Sequence, residues 1–140
     1  FILALSMTSV HLKLFQKIRE KNYPFVFVDR RVKGYPAVYS DDIQGAYQIT
    51  QYILRQGFTS VCMINAPLRM QNAQDRESGF KQAVADAINK PDQVQTIYTA
   101  LDAESNVEAF SNLIRSQPNV QSIFCYNDYL AYDCIRYMQS

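Results

Sequence analysis

The run SVCMINA (residues 60–66) decides the fold class. Its central residues, 61–64, are apolar without alternation, which is typical of a strand that is covered on both faces of a sheet. A helical apolar repeat follows it, formed by Phe80, Val84 and Ile88. A strand followed by a helix is the repeating unit of parallel α/β sheets, because a helical crossover returns the chain to the same edge.

The same alternation extends from this run in both directions. We predict further strands at residues 1–5, 25–29, 37–39, 94–100 and 122–126. We predict helices at 10–20, between Asp41 and Gly57, at 76–88, between Asp102 and Pro118, and at 129–138. The sequence therefore predicts an α/β fold with parallel sheets. Because the chain starts within a strand and stops within a helix, we expect the fold to be incomplete at both ends.

The composition indicates an ordinary globular protein. With 140 residues, 48% of them hydrophobic, the chain can form one compact domain or two small lobes of a larger protein. The net charge is +1, and the densest basic segment, 13–21, includes Glu20, so it is typical of a solvated helix face. We therefore expect this chain alone not to bind DNA well. No apolar run approaches the roughly 18 residues of a membrane span, and we predict no membrane contact.

The usual catalytic and cofactor motifs are missing from the sequence. Four glycines cannot form a dinucleotide-binding or phosphate-binding loop, and the single histidine, His11, has no acidic partner nearby in sequence. The three cysteines, Cys62, Cys125 and Cys134, lie in apolar or helical patterns and are too dispersed for a zinc site. They predict buried, reduced thiols of a cytoplasmic protein. We expect a binding protein rather than an enzyme, with no cofactor and no metal.

Polar side chains follow the predicted strands, at the edge where ligands bind in open parallel sheets. Carboxylate, guanidinium and amide groups together suit a small polyhydroxylated ligand, which needs both donors and acceptors. Arg76 lies at the predicted junction of loop and helix, which favours a role in a pocket. The other candidate ligand-binding residues at strand ends and in the loop are Asp29, Arg30, Asn72, Leu101, Asp102 and Asn127.

Each of these residues also has an ordinary structural explanation. Asp102 and Asp128 are both plausible N-caps of the helices that follow them. Asp29 and Arg30 could pair with each other or with neighbours. Asn127 is harder to explain in this way, because Asp128 alone could serve as the cap. We therefore predict that Asp128 caps the last helix and that Asn127 contacts a ligand.

Six segments, in order along the whole chain, resemble a known family. They are FILALS, YPFVFVDR, AVYSDDIQGAYQITQYILRQGF, VCMINAPL, DRESGF and SIFCYNDYLAYDCIRYM. They are similar to the effector-binding core of the lactose/galactose repressor family of bacterial transcriptional regulators, which has the periplasmic-binding-protein fold of type I. The resemblance implies a two-lobe structure, with residues 1–39 in the N-terminal lobe and 40–140 forming most of the C-terminal lobe.

The resemblance also implies functional roles. Arg76 matches the family's effector-gripping arginine, Asn127 its effector-contacting amide, and Asp29 and Arg30 the pair that closes on the ligand. Asn72 and Ser6 correspond to variable loop positions, and Leu101 or Asp102 to a position that packs on the ligand. The last helix resembles one at the dimer interface, with Tyr132, Ile135 and Arg136 as the interface residues.

The function implied is a cytoplasmic, homodimeric regulator that senses a small molecule, most simply a sugar. DNA would be contacted only through a headpiece that this chain does not contain. The alternative function is a periplasmic sugar-binding component of a transport system.

Overall fold

The computed structural model describes residues 2–3, 9–29, 31–87 and 90–140. Strands and helices alternate along the described chain, and every strand pair is parallel. The predicted α/β class is therefore confirmed. The chain forms two compact units, Phe1–Asp41 and Asp42–Ser140. Of the residues predicted from the sequence, Ser6, Arg30 and Ile88 lie outside the described ranges.

Among its described residues, the first unit holds a small parallel sheet of order β1-β2-β3 and one helix. Its elements are β1 (Ile2–Leu3), α1 (Ser9–Glu20), β2 (Val26–Val28) and β3 (Ala37–Val38). Phe27 of β2 and Ile18 of α1 are buried against each other. The rings of Phe15, Phe25 and Tyr35 surround Phe27, with centroids 5.4 to 6.1 Å from its own. This aromatic cluster forms the core of the unit.

In the part of it that the structure describes, the second unit holds a parallel sheet of order β5-β4-β6 and four helices. Its elements are α2 (Asp42–Arg55), β4 (Ser60–Asn65), α3 (Gln71–Asp86), β5 (Gln93–Tyr98), α4 (Ala103–Ser116), β6 (Ser122–Cys125) and α5 (Asp128–Met138). Gly57 follows α2 with φ +86°, a left-handed conformation that glycine adopts without strain. This confirms the predicted helix end.

The central strand β4 separates two apolar clusters. All six of its residues are buried. Val61 and Met63 pack with Phe80 of α3 on one face. Cys62 and Ile64 belong to the cluster on the other face, whose members include Phe110 of α4 and Leu130 of α5. The sheet is thus covered on both sides, as the continuous apolar run in the sequence predicted.

Helices α2 and α3 approach each other closely at Gly79. A Cβ atom at this position would lie 2.9 Å from the backbone nitrogen of Tyr47 and 3.0 Å from the Cβ of Ala46. Only glycine therefore fits here without a shift of the backbone. Phe80, the next residue, is buried in the core beneath β4. The Gly-Phe pair thus fixes the position of α3 against both α2 and the sheet.

The start of α3 differs from the sequence prediction. The helix begins at Gln71, five residues before the predicted start at Arg76. Its first turn carries Gln71 and Asn72, and the buried residues that follow include Asp75 and Glu77. Because polar residues occupy buried positions in this part of the helix, an apolar repeat does not reveal it.

Candidate functional site

The candidate site lies at the carboxyl edge of the sheet of the second unit. Strands β4, β5 and β6 are parallel, so their last residues, Asn65, Tyr98 and Cys125, lie toward the same edge. Asn65 is fully buried and serves the fold. Its side chain donates to the carbonyl of Ala73 at 3.0 Å and accepts from the backbone N–H of Ala66 at 2.9 Å.

Arg76 contacts both α2 and the end of β6. Its Nε donates to Oδ1 of Asp42, the first residue of α2, over 2.8 Å. Its Nη1 donates to the backbone carbonyl of Tyr126. The guanidinium carbon also lies 4.7 Å from the centroid of the Tyr126 ring. Because α3 begins at Gln71, Arg76 lies in the second turn of the helix, and the predicted position at a loop-to-helix junction is wrong.

Tyr126 is the centre of this cluster. It is buried, and it follows β6 directly. Burial raises the pKa of its phenol, while the Arg76 charge and a hydrogen bond with the Asn72 side chain lower it. Asn72 thus acts on the same residue that Arg76 contacts. Two of the sequence-predicted ligand-binding residues therefore meet at one aromatic side chain.

The packing of α2 on α3 explains why Arg76 reaches Asp42. Gly79 lies one turn after Arg76 and brings the backbones of the two helices together. Asp42 is half-buried beside Arg76, with 16% of its side chain exposed against 27% for Arg76. A charge-assisted bond in such a partly buried place is stronger than one on the surface.

Asn127, and not Asp128, is the N-cap of α5. The Asn127 Oδ1 accepts a hydrogen bond from the backbone N–H of Leu130 at 2.8 Å. Asp128 is exposed and is the first residue of the helix. The predicted division of roles was therefore wrong for the cap, because the helix begins one residue earlier than predicted. Contact between Asn127 and a ligand stays a prediction, and it would use the amide nitrogen.

Asp102 is the N-cap of α4, one of the two roles considered from the sequence. It accepts from the backbone N–H of Ser105 at 2.8 Å and forms a capping box with this serine. These hydrogen bonds lower the pKa of the Asp102 carboxyl. The preceding Leu101 has φ +68° and packs against the core cluster of α4 and α5. A leucine in the left-handed region is strained, and such strain is often found at functional sites.

A buried hydrogen-bond chain connects the end of β5 with α5. Thr99 Oγ1 accepts from the backbone N–H of Leu101 at 3.1 Å and donates to Oδ1 of Asn106 at 2.6 Å. The Asn106 side chain in turn donates to Asp133 of α5 at 2.9 Å. Thr99 and Asn106 are both buried. The strained loop at Leu101 is thus held by the same chain that fixes α4 to α5.

Glu77 anchors the end of β5 to α3. This buried carboxylate accepts from the Tyr98 hydroxyl at 2.9 and 3.0 Å and pairs with Lys81. Loss of solvation, followed by the bond to Glu77, raises the pKa of Tyr98. The bond to Glu77 also raises the pKa of Lys81. These contacts explain why a carboxylate is buried here, and they give Glu77 a structural role.

In the first unit, Asp29 follows β2 and is exposed. Its φ is +55°, and its backbone N–H donates to the carbonyl of Val38 at 2.9 Å. The residue therefore adopts a left-handed conformation at the carboxyl end of its strand, as Leu101 does in the second unit. Arg30 and Ser6 lie outside the described residues.

The outer face of α5 is apolar and exposed. Tyr132 and Ile135 are 60% and 56% exposed, and Tyr129 and Met138 are also exposed. Arg136 lies with its guanidinium carbon 5.9 Å from the centroid of the Tyr132 ring. Of these residues, Tyr132, Ile135 and Arg136 are the ones that the sequence predicted at a dimer interface.

Sequence reasoning missed Tyr126 and Asp42 as members of the cluster. Tyr126 was interpreted as the last residue of an apolar strand, and Asp42 only as the start of a helix. The available signal was the position of Tyr126, since it precedes Asn127 at the carboxyl edge. Nothing in the spacing relates Asp42 to Arg76, because they are 34 positions apart.

The described part of the chain contains neither a candidate metal-binding cluster nor a membrane-spanning helix. In residues 2–3, 9–29, 31–87 and 90–140, no group of three or more His, Cys, Asp or Glu side chains could hold a metal ion. None of the helices in these ranges combines the length and the apolar character needed to cross a membrane.

Residues 1–139 match the family model described as periplasmic binding proteins and the sugar-binding domain of the LacI family. The chain belongs to this family. A relative within it is the ribose operon repressor of Bacillus subtilis, which is 30% identical over 112 residues, or 76% of this chain and 32% of that protein.

Solved structures show the same fold. A LacI family transcriptional regulator from Enterococcus faecium with bound ribose has a TM-score of 0.80 and 24% identity, over 99% of this chain and 52% of that one. A periplasmic solute-binding protein of an ABC transporter from Actinobacillus succinogenes, with bound D-allose, has a TM-score of 0.82 and 17% identity, again over 99% and 52%. The chain thus spans about a third of the repressor and about half of each structure.

Proposed function

We propose that this chain is part of the effector-binding domain of a DNA-binding transcriptional regulator, and that it binds a sugar or a similar small polar molecule. The observation that carries the proposal is the cluster of Arg76, Asn72 and Tyr126 at the carboxyl edge of a parallel sheet. Ligands of open parallel α/β sheets bind at this edge. The family description, which includes sugar-binding domains, supports the same class of ligand.

The chemistry of the cluster suits a polyhydroxylated ligand. An arginine side chain has five N–H donors in a rigid fork, and the two bonds within the protein engage Nε and Nη1. We assign the donors on Nη2 to ligand hydroxyls. Oδ1 of Asn127 caps α5, which leaves the side-chain amide nitrogen of Asn127 as a donor. We assign this nitrogen to the ligand as well. Fixed donors of this kind select hydroxyl groups by direction as well as by number.

In this proposal, residues 1–39 and 40–140 belong to two lobes, and the ligand binds in the cleft between them. Asp29 and Arg30 would then contact the ligand from the N-terminal lobe, together with Ser6. Leu101 would pack on the ligand beside Asp102. Binding would favour one arrangement of the lobes, and a DNA-binding headpiece outside this chain would respond to it.

The experiment compares two conservative arginine variants of the full-length protein. Arg76→Lys keeps the charge beside Asp42 but removes the fork, whereas Arg115→Lys alters an exposed arginine of α4 that bonds only to its own helix. Binding of D-ribose and D-allose is measured by calorimetry. One of these sugars is expected to bind the wild type. We expect Arg76→Lys to raise the dissociation constant for that sugar by about tenfold or more. We expect Arg115→Lys to leave it unchanged.

Two results would contradict the assignment of Arg76. One is unaltered sugar affinity in Arg76→Lys, and the other is an equal loss in both variants, which would indicate a general effect of arginine removal. A circular dichroism spectrum and a thermal midpoint, recorded for each variant, separate lost binding from lost folding.

The homodimer is a proposal with its own support, the exposed apolar face of α5. A cluster of exposed Tyr132, Ile135 and Met138 is typical of a surface that another protein covers. We expect Ile135→Glu to shift the full-length protein toward the monomer in sedimentation. Val107→Glu, at a half-exposed apolar position of α4, is the control. Equal sedimentation of the wild type and Ile135→Glu would exclude this face as the interface.

The second candidate function is a sugar-binding component of a transport system. Its support is the likeness to the D-allose-binding periplasmic protein over nearly the whole chain. The relation to a repressor at 30% identity and the free cysteines favour a regulator in the cytoplasm. Specific binding of the full-length protein to DNA upstream of its own operon, altered by the sugar, would support the regulator. A cleaved signal peptide would support the transport component.

A further inference from the structure

Leu101 adopts an unfavourable backbone conformation shortly after the end of β5. Its φ is +68°, in the left-handed region that the Cβ atom of a leucine disfavours. Its side chain packs against the apolar cluster of α4 and α5 and remains half-buried, so part of it is exposed. Such a conformation persists only where the surrounding contacts outweigh its cost. The hydrogen bonds around the Leu101 backbone provide these contacts.

Thr99 connects the Leu101 backbone with the central strand. The backbone N–H of Thr99 donates to the carbonyl of Asn65 at 3.0 Å, which continues the pairing of β5 with β4. Thr99 Oγ1 accepts from the Leu101 N–H at 3.1 Å. This Oγ1 also lies 2.8 Å from Oγ of Ser105, which accepts in turn from the Ala100 N–H. The turn at Leu101 is therefore bonded to a residue that the sheet holds in place.

Asp133 of α5 fixes the direction of the hydrogen bonds that lead to Leu101. A carboxylate only accepts, so the Asn106 atom that faces it at 2.9 Å must be the amide nitrogen. The amide oxygen of Asn106 therefore faces Thr99 at 2.6 Å, and Thr99 gives its single hydroxyl proton to this oxygen. The lone pairs of Thr99 Oγ1 are then left to accept from the Leu101 N–H. A charged group on α5 thus determines that Thr99 accepts at Leu101.

Asn106 is the link on which this arrangement depends. It is 5% exposed, and Thr99 is 3% exposed, so water cannot readily replace either partner. Asparagine combines one acceptor and one donor group on a planar amide, whereas an aspartate here would face the carboxylate of Asp133 without a proton to donate. Helix propensity does not explain a buried asparagine in α4, because alanine is the better helix former. Its two side-chain bonds do explain it.

We propose that Asn106 is a positioning residue for the effector. Through Thr99 it holds the backbone of Leu101 in the left-handed conformation, and through Asp133 it fixes this arrangement to α5. Its effect on binding rests on the proposed function, in which Leu101 packs on the ligand. Because Asn106 is buried, it acts through Leu101 and not by touching the ligand itself.

The hydrogen bonds also join the proposed ligand contact to the helix of the proposed dimer face. Asp133 lies between Tyr132 and Ile135 in sequence, and these two side chains are exposed while Asp133 is half-buried and bonds toward α4. A displacement of α5 would therefore pull on Asn106 and alter the support of Leu101. Since coupling between two sites is reciprocal, a ligand that packs on Leu101 would also favour one position of α5.

Hydrogen exchange of the full-length protein tests these bonds without any ligand, by mass spectrometry of overlapping peptides that resolve the Leu101 amide. Asp133→Ala removes the acceptor that orients the Asn106 amide. We expect the Leu101 amide to exchange about fivefold faster than in the wild type, because its acceptor loses a fixed partner. The amides of β4 should keep their exchange rates. Asp133→Asn retains an acceptor oxygen, so we expect it to restore most of the protection.

Two further variants make the result specific. Glu108→Ala removes an exposed carboxylate from α4 and is the matched control, which should leave the Leu101 amide unaltered. Asn106→Ala breaks the hydrogen bonds at their centre and should reproduce the local effect of Asp133→Ala. An unaltered Leu101 amide in both Asp133→Ala and Asn106→Ala would overturn the proposal. An equal rise at Leu101 and throughout β4 would overturn it too, because it would show only a loss of overall stability.

Calorimetry with D-ribose and D-allose tests the effect on the effector. For the sugar that binds the wild type, we expect Asp133→Ala to raise the dissociation constant about threefold or more. Asp133→Asn and Glu108→Ala should stay close to the wild type. Faster exchange at Leu101 with an unchanged dissociation constant would refute the positioning role. A wild type that binds neither sugar would contradict the proposed function instead, and the exchange rates would still decide whether Asn106 holds Leu101.

Discussion

Helix α3 differs from α4 and α5 in the way it begins at the carboxyl edge of the sheet. Asp102 and Asn127 cap α4 and α5 with their own side chains. The N-cap position of α3 is Met70, which makes no side-chain cap bond. Arg76 of α3 bonds instead to the backbone carbonyl of Tyr126 and to Asp42, and Asn72 lies close enough to the Tyr126 side chain to lower its pKa. A polar residue after a strand is therefore a weak indication of a ligand until its partners are known.

Among the contacts that hold α3, α4 and α5 in place, we expect the packing of α3 on α2 to contribute most to stability. Gly79→Ala places a methyl group against the backbone of α2. We expect it to lower the free energy of unfolding by about 3 kcal/mol or more, measured by urea denaturation. Gly45→Ala is the matched control, because a Cβ there meets nothing within 4 Å. That variant should raise stability by about 0.5–1 kcal/mol, as expected for glycine replaced in a helix.

Equal effects of the two glycine substitutions would contradict the close approach of α2 and α3. A loss confined to Gly79→Ala, accompanied by weaker sugar binding, would show that the helix contact also positions Arg76.

The cap of α5 can be separated from the proposed ligand contact at Asn127. Asn127→Ala removes the acceptor for the Leu130 N–H and should lower stability by about 1 kcal/mol. Asn127→Asp retains an acceptor at the cap and should keep the stability, but it removes the amide donors. We therefore expect Asn127→Asp to bind sugar more weakly at near wild-type stability. Binding unchanged in Asn127→Asp would restrict this residue to capping.

The smallest effect concerns the charge of the α4 cap. Helix N–H donors lower the pKa of Asp102 below its unfolded value of about 3.9. The carboxylate therefore contributes stability above that unfolded value, and the contribution is lost as the pH falls through the lowered pKa. Asp102→Asn keeps an oxygen that can cap α4 but has no carboxyl group that titrates. We expect its urea midpoint to fall less than that of the wild type between pH 7 and strongly acidic buffer.

A larger acid sensitivity in Asp102→Asn than in the wild type would contradict the sign of this effect. Asp128→Asn is a useful companion variant, since Asp128 is exposed in the first turn of α5 and is not its cap.

The fold was predictable from the sequence because the apolar strands of a doubly covered sheet are continuous and the turns are marked by Gly57 and Pro118. The site was predictable only in part. Arg76 and Asn72 were identified by residue type and position, but their meeting at Tyr126 depends on contacts between distant segments. The cap of α5 was assigned to Asp128 instead of Asn127, because a shift of one residue in the helix start changes the cap. Local patterns do not determine such a shift.

The strand order β5-β4-β6 has a consequence for synthesis on the ribosome. The central strand β4 pairs first in sequence with β5, but its other edge is completed only by β6, which follows much later. While residues 122–125 remain in the exit tunnel, β4 exposes an edge of unpaired backbone N–H and C=O groups that could pair with another nascent chain. Slow translation before β6 would prolong this exposure, so the yield of folded protein should depend on the speed at which the ribosome reads that stretch.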